Sequence, residues 1–341
     1  MPLIRYEGKA YQPLPGESVL DCLLRHDVPV NYSCRSGICQ TCLMRVTQGE
    51  PEADTQKGLK ESLKKHNYFM PCVCYAKSDL EVTLAEPDVP YRTHVIVKSK
   101  DALNRDTVKV LVEPQGEFAY LAGQFINLCR EDGLIRSYSL ASVPQRDDLL
   151  EFHVRKLEGG QMSSWVHDEM AVGTSVRIEG PIGDCVYVDS RSEQNLLLVG
   201  TGCGLSPLWG ILNTALEAGH HGQIYLFHGS YSADGLYLVN ELNELAKRHP
   251  NFHYRACIDE GEVNAGYSIG RAHDVALAEL SDLKSWRVFL CGHPEMVSAM
   301  KKRSYLAGVS LNEIHSDPFL LNSSCTPRPQ EAGRKQVTAP Q

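Results

Sequence analysis

The sequence predicts a multidomain chain of three fold classes in series: a small α+β unit, an antiparallel β-barrel, and a doubly wound parallel α/β sheet. Three observations predict it. Residues 1–86 combine one amphipathic helical pattern with a tight cluster of cysteines. Residues 91–188 are short β-branched strands separated by turns, as in a barrel or sandwich. Residues 192–320 alternate apolar strands with helical stretches, the signature of a parallel sheet covered on both faces. A length of 341 residues fits two or three domains. With 43% hydrophobic and 22% charged residues the chain is globular, not disordered. Its net charge of −8 argues against non-specific nucleic-acid binding, which depends on neutralising phosphates. No apolar run is long enough to cross a membrane. The start, Met1-Pro2-Leu3-Ile4-Arg5-Tyr6-Glu7, lacks the layout of a signal peptide, so a cytoplasmic protein is expected.

The elements follow in order. Leu3–Tyr6 is a short strand. Ser18 is placed to cap a helix running to about His26, with Val19, Leu20, Leu23 and Leu24 on one face. Glu81–Leu84 closes the unit, and the two prolines of Glu86-Pro87-Asp88-Val89-Pro90 mark a linker. Strands are expected at His94–Ser99, Val108–Glu113, Phe125–Cys129, Leu149–Arg155 and Ser175–Glu179, with a helix at 162–169. The third unit reads as strands Leu196–Gly200, Ile224–His228, His253–Ile258 and Val288–Cys291, with helices Leu205–Ala218 and Asp234–Arg248 between them. Residues 321–341, with three prolines and almost nothing apolar, read as a disordered tail.

Each unit carries one candidate site. The first is Cys34-x4-Cys39-x2-Cys42, with Cys72 further on, the plant-type 2Fe–2S spacing. Four thiolates must converge on two irons, so a tight loop supplies three and a distant strand end the fourth. Gly37 gives that loop access to positive φ. A zinc site is the alternative, although four-thiolate zinc sites usually pair two close knuckles. Cys72 has the expected spacing for the fourth ligand, and Cys74 is the other candidate.

The second site is Arg136-Ser137-Tyr138-Ser139 together with Gly159-Gly160-Gln161-Met162-Ser163. An arginine holds phosphate. A tyrosine two positions on shares its strand face and stacks on a flat ring. A serine hydroxyl beside it bonds a ring nitrogen. Two glycines opening a helix present free N–H groups to a phosphate.

The third site is Gly200-Thr201-Gly202-Cys203-Gly204-Leu205-Ser206-Pro207, a glycine turn between an apolar strand and a helix. Leu205 stands where the dinucleotide fingerprint wants its last glycine. Cys291-Gly292-His293-Pro294-Glu295-Met296 ends a later strand, and both segments belong at the carboxyl edge where open α/β sheets bind ligands.

With these three motifs in this order, the chain resembles the reductase components of bacterial multicomponent, aromatic-ring-hydroxylating oxygenases: an N-terminal β-grasp 2Fe–2S ferredoxin fused to a ferredoxin–NADP-reductase-like module. The likeness covers about residues 1–320 and includes Gly180-Pro181-Ile182-Gly183 and Ser316-Asp317-Pro318-Phe319. It implies that electrons pass from NADH to FAD to the 2Fe–2S cluster and on to a terminal oxygenase or its ferredoxin, in aromatic hydrocarbon catabolism. It implies cluster ligands Cys34, Cys39, Cys42 and Cys72. Arg136, Tyr138, Ser139, Ser142 and Gly159–Ser163 would bind FAD, with Ser139 near its reactive nitrogen. Gly200, Thr201, Gly202, Gly204, Pro207 and Gly292 would hold the nicotinamide nucleotide. Cys291 would lie near the nicotinamide, and Phe319 would cover the flavin ring. FMN relatives usually place the ferredoxin last, which favours FAD.

The chain departs from the family at Asp184-Cys185, where relatives often carry Phe, and at Gly229-Ser230-Tyr231, where many carry Gly-x-Arg. The missing arginine favours NADH over NADPH, with Lys247, Arg248 or Arg255 as alternative sources of charge. A reductase for a deoxysugar-pathway dehydrase and a redox sensor without turnover are the other readings. Cys22, Cys129, Cys185, Cys203 and Cys257 are expected to be packing cysteines, and His220-His221 solvent-facing. The Lys57–Lys65 run is expected to be a solvated face. The chain alone is expected to be monomeric.

Overall fold

The structure is a computed structural model and describes residues 2–59, 63–64, 66–84, 92–144, 146–188, 191–260 and 266–319. The expected linker at 86–90, the tail at 321–341 and part of the Lys57–Lys65 run lie outside the described residues.

The first unit contains β1 (Ile4–Tyr6), β2 (Lys9–Tyr11), α1 (Val19–Arg25), β3 (Met44–Gln48), β4 (Tyr68–Phe69) and β5 (Leu80–Leu84). Its sheet has the order β2-β1-β5-β3-β4, with β1 and β5 parallel and the other pairs antiparallel. The Ser18 hydroxyl accepts the Asp21 N–H at 3.1 Å, the cap the sequence predicts. The helix buries Val19, Leu20, Cys22 and Leu23 against Ile4, Val46 and Val82 of the sheet, the β-grasp arrangement.

The second unit contains β6 (Arg92–Ala102), β7 (Thr107–Pro114), β8 (Phe125–Cys129), β9 (Ile135–Ser139), β10 (Leu150–Arg155), α2 (Gln161–Asp168) and β11 (Ser175–Ile182). All pairs in the order β10-β7-β6-β11-β8-β9 are antiparallel. A bridge between Leu140 and Phe152 brings the end of β9 onto β10 and closes the barrel. Val95, Val110, Ile126, Leu128, Phe152 and Ile178 fill it.

The third unit contains β12 (Leu196–Thr201), α3 (Leu205–Glu217), β13 (Ile224–Ser230), α4 (Val239–Arg248), β14 (Phe252–Ile258), β15 (Tyr267–Ile269), α5 (Ala272–Glu279), β16 (Arg287–Gly292), α6 (Pro294–Leu306) and β17 (Ile314–Pro318). The strands run parallel in the order β15-β14-β13-β12-β16-β17, and separate apolar clusters pack on the two faces. The order reverses between β12 and β16, so a crevice opens at their carboxyl ends. The helix expected from Asp234 begins only at Val239. Ala233–Gly235 is a separate turn, and Leu238 sits at φ +54°, which breaks the helical path. His220 is buried rather than solvent-facing, with its Nδ1 3.1 Å from the Tyr187 hydroxyl.

The barrel and the parallel sheet meet tightly at Gly123. At φ +92°, a Cβ on Gly123 would lie 2.3 Å from the Cys185 carbonyl and 2.9 Å from the Ile211 side chain. Gly123→Ala combines left-handed strain with overpacking and should cost on the order of 3 kcal/mol. Scanning calorimetry should show this as a lowered first unfolding transition.

Candidate active site

The cluster loop is shaped by three left-handed residues, Arg35 (φ +53°), Gly37 (φ +73°) and Gln40 (φ +57°). This winding turns backbone amides onto sulfur. The N–H groups of Ser36 and Cys39 donate to Cys34 Sγ at 3.4 and 3.3 Å, and that of Cys34 donates to Cys39 Sγ at 3.4 Å. A Cβ on Gly37 would meet Val73 at 3.0 Å, so the glycine lets the loop close on the segment that carries Cys72.

The thiols stand in two pairs, Cys34 with Cys39 and Cys42 with Cys72. Two thiolates for each of two irons fits a binuclear cluster, whereas a lone zinc ion wants four donors around one point. Cys74 lies apart, 1% exposed in the apolar core, with its thiol pushed up to about 12 by burial.

One cleft of about 1390 Å³ is walled by all three units. Tyr32, Cys34 and Cys39 come from the cluster loop. Arg136–Ser139 of β9 and Gly159–Ser163 at the start of α2 come from the barrel. Thr201–Cys203, Gly292 and Phe319 come from the third unit. The volume exceeds the roughly 300–1,000 Å³ of a drug-sized ligand pocket, as two nucleotide cofactors require. Tyr138 lines the cleft with its ring stacked on Phe152 at 5.6 Å. Gly160 is the N-cap of α2, and a Cβ there would lie 2.4 Å from Ser163 Oγ. That hydroxyl accepts the Leu157 N–H and donates to the Gly160 carbonyl, so the first amides of α2, not the serine, are what the turn offers a pyrophosphate.

Several expected contacts resolve differently. Ser142 is buried, accepting from the Tyr120 hydroxyl at 2.7 Å and the Glu151 N–H at 3.0 Å; it braces the barrel and does not line the cleft. Gly200, Gly204 and Pro207 also lie behind the lining. A Cβ on Gly204 would stand 2.1 Å from the Cys291 carbonyl, and one on Gly292 2.5 Å from the Thr201 carbonyl. These glycines let the ends of β12 and β16 interlock at the crevice. Thr201, by contrast, lines the cleft and accepts the His293 N–H at 3.0 Å. Cys291 is fully buried, with its sulfur 3.9 Å from Cys185 Sγ. Cys203, expected to be packing alone, is part of the cleft wall.

Sequence reasoning missed Asp317, Ser206, Asn127 and the cleft arginines. Asp317 Oδ2 accepts from Ser139 Oγ at 2.7 Å in a buried contact, and Ser206 Oγ donates to the Ser139 carbonyl at 2.9 Å. No local pattern marks either bond, since each joins residues 67 or more positions apart. Arg105, Arg155 and Arg271 face the cleft, whereas Lys247 and Arg255 line a separate hollow beside α4 and β14. Arg255 there is held by Glu279 at 2.7 Å.

Residues 5–77 match the 2Fe-2S iron-sulfur cluster binding domain family, 94–187 the oxidoreductase FAD-binding domain family and 198–302 the oxidoreductase NAD-binding domain family. The ferredoxin–NAD(P)+ reductase component of the naphthalene 1,2-dioxygenase/salicylate 5-hydroxylase systems of Ralstonia is 31% identical over 309 residues, 89% of this chain and 94% of its own length. The chain belongs to this family of 2Fe–2S flavoprotein reductases. The reductase subunit of an Amycolatopsis aromatic O-demethylase is 31% identical over 92% of this chain and 96% of its own. A crystal structure of an Amycolatopsis cytochrome P450 reductase superposes with a TM-score of 0.68 at 29% identity, covering 94% of this chain and 99% of its own. The reductase is thus an NAD(P)H-dependent oxidoreductase with FAD and a 2Fe–2S cluster. No helix among its described residues is long and apolar enough to cross a membrane.

Burial raises the Asp317 carboxyl from its ordinary 3.8 to about 6. A carboxyl whose folded pKa exceeds its unfolded one favours the fold fully below about 3.8, and that contribution is lost as pH rises through 6. Asp317→Asn cannot titrate, so its stability relative to the parent should increase between pH 5 and pH 7.5. Urea unfolding at the two pH values checks the sign.

Proposed function

We propose that this reductase draws electrons from NADH and delivers them to a separate oxygenase component, directly or through that component's ferredoxin. The observation that supports the route is the shared cleft: the cluster loop, β9 and the nucleotide crevice open onto one space. When bound, FAD takes a hydride's two electrons together, and the cluster carries them onward singly. Cys34, Cys39, Cys42 and Cys72 would hold the cluster. Arg136, Tyr138 and the first amides of α2 would hold FAD, with Ser139 oriented by Asp317 and Ser206 beside its ring. Thr201, Gly202 and Gly292 would shape the seat of the nicotinamide nucleotide, and Phe319 would close it. The Phe319 N–H donates to the Gly292 carbonyl at 2.7 Å, tethering that residue to the crevice. The partner class rests on the relatives, which serve oxygenase and demethylase systems.

The proposed functional units are 1–86, 91–188 and 192–320, each of which contributes to the cleft, and the reductase is proposed to act as a monomer. The proposed setting is the reducing cytoplasm, which keeps cluster thiols from pairing as disulfides.

The preference for NADH follows from the ends of β13 and β14. Arg271 supplies a cation, but Asp259 sits 3.8 Å from it and faces the same cleft. Tyr231 hydrogen-bonds Glu260 next door. Asp259 would repel a 2′-phosphate and accept from ribose hydroxyls, as an acidic residue near a strand end does in dinucleotide-binding folds.

Two experiments test this function. In an anaerobic visible spectrum, NADH should bleach flavin and cluster bands, whereas Cys72→Ala should lose reduction of a protein acceptor and keep NADH-dependent dye reduction by the flavin. Survival of both activities in Cys72→Ala would overturn the ligand assignment. Asp259→Ser should raise kcat/KM for NADPH about 10-fold, a change of ~1.4 kcal/mol. Steady-state kinetics with both nucleotides reads it.

A further inference from the structure

Asn127 is the polar member of a strand whose other residues, Phe125, Ile126, Leu128 and Cys129, are apolar and buried. Ile126 and Leu128 point into the barrel core. Asn127 therefore belongs to the opposite face, yet it is only 1% exposed. The cluster loop covers it. Its Nδ2 donates to the Cys39 carbonyl at 3.1 Å, a bond between residues 88 positions apart. Its Oδ1 accepts from Ser137 Oγ at 2.8 Å, and Ser137 is its directly opposed neighbour on β9. A carbonyl only accepts, so the nitrogen must face Cys39 and the oxygen must face Ser137. The amide has one orientation, and both its ends are committed.

These bonds join two things the reaction has to hold at a fixed separation. Cys39 belongs to the cluster loop, and Ser137 lies between Arg136 and Tyr138 on the strand that faces the flavin site. A polar side chain buried between units is costly unless satisfied, and this one is satisfied only while the cluster loop is seated.

We propose that Asn127 is a positioning residue for the flavin-to-cluster step: its side-chain amide seats the cluster loop on β9 and so sets the separation over which the electron passes. Each transfer removes one electron from the flavin and adds one to the cluster, the pair having come from one NADH hydride, so no further reductant is involved. The proposal rests on the assignment of Cys39 to the cluster and β9 to the flavin. It adds a residue that touches neither group. Asn127 has no part in hydride transfer, so its removal separates the two halves of the reaction.

The test uses the full chain with both cofactors, checked first for flavin and iron content. Asn127→Leu keeps the volume and removes both bonds. Asn127→Asp keeps the shape and the acceptor towards Ser137 but loses the donor towards Cys39. In stopped flow with NADH, flavin bleaching and ferricyanide reduction should stay within 2-fold of the parent, while the cluster-bleaching phase slows by roughly 10-fold or more in both variants. Hydrogen–deuterium exchange gives a readout that needs no turnover: amides of residues 35–42 should exchange faster in both variants, with those of α3 unchanged.

An unchanged cluster phase, unchanged exchange in residues 35–42, or equal slowing of both phases would overturn the proposal; the last would mean that Asn127 only supports the barrel. Failure of the underlying route looks different. In that case the parent itself would not bleach its cluster after its flavin, or Cys72→Ala would retain the cluster phase. If Asn127→Leu does not fold, the isosteric Asn127→Asp carries the same test.

Discussion

Strand β9 is the member on which the other parts of the site lean. Its hydrogen bonds leave in three directions. Ser137 reaches the cluster loop through Asn127. The Ser139 carbonyl receives Ser206 from the opening of α3. The Ser139 hydroxyl meets Asp317 from the last strand of the parallel sheet. Each bond alone contributes about 1 kcal/mol; all are buried except the partly buried one from Ser137 to Asn127, and leaving a buried partner unpaired costs more than the bond supplies. These bonds help hold the three units in one arrangement, beside the apolar contact of Ile211 with the turn at Gly123. Polar contacts of fixed direction suit that purpose, because they tolerate sliding poorly.

The parts of the site legible in the sequence are those whose chemistry is local. Three cysteines in nine residues predict a tight loop, and the structure turns amides of that loop onto sulfur, as the predicted cluster site needs. Strand–helix alternation likewise identifies the parallel sheet, and two glycine-bearing strand ends locate its crevice. The family comparison agrees with the cofactors and the reductase function expected from these motifs.

What could not be read is the direction in which a residue points once the chain has folded. Gly200 and Gly204 sit in the right turn, yet Gly200 faces Leu208 of α3 and Gly204 faces the neighbouring strand end, not the cleft. Ser142 lies three residues past Ser139 but beyond the end of β9, where the chain crosses to β10, so its hydroxyl turns to the barrel. Lys247 and Arg255 were reasonable sources of positive charge by position along the chain, but α4 and β14 present them to a different hollow. Arg271, which does face the cleft, stands just ahead of α5 with no motif to announce it. Asp317 lay inside a stretch that carried the family likeness, but its role depends on a partner 178 positions away.

Strand β17 has a consequence for how the molecule is made. It is the edge strand of the parallel sheet, and it brings both Asp317 and Phe319 to the cleft. During synthesis the cluster unit and the barrel leave the ribosome long before it does. Of the described elements, the one that completes this side of the cleft is therefore translated last, after the cluster unit and the barrel.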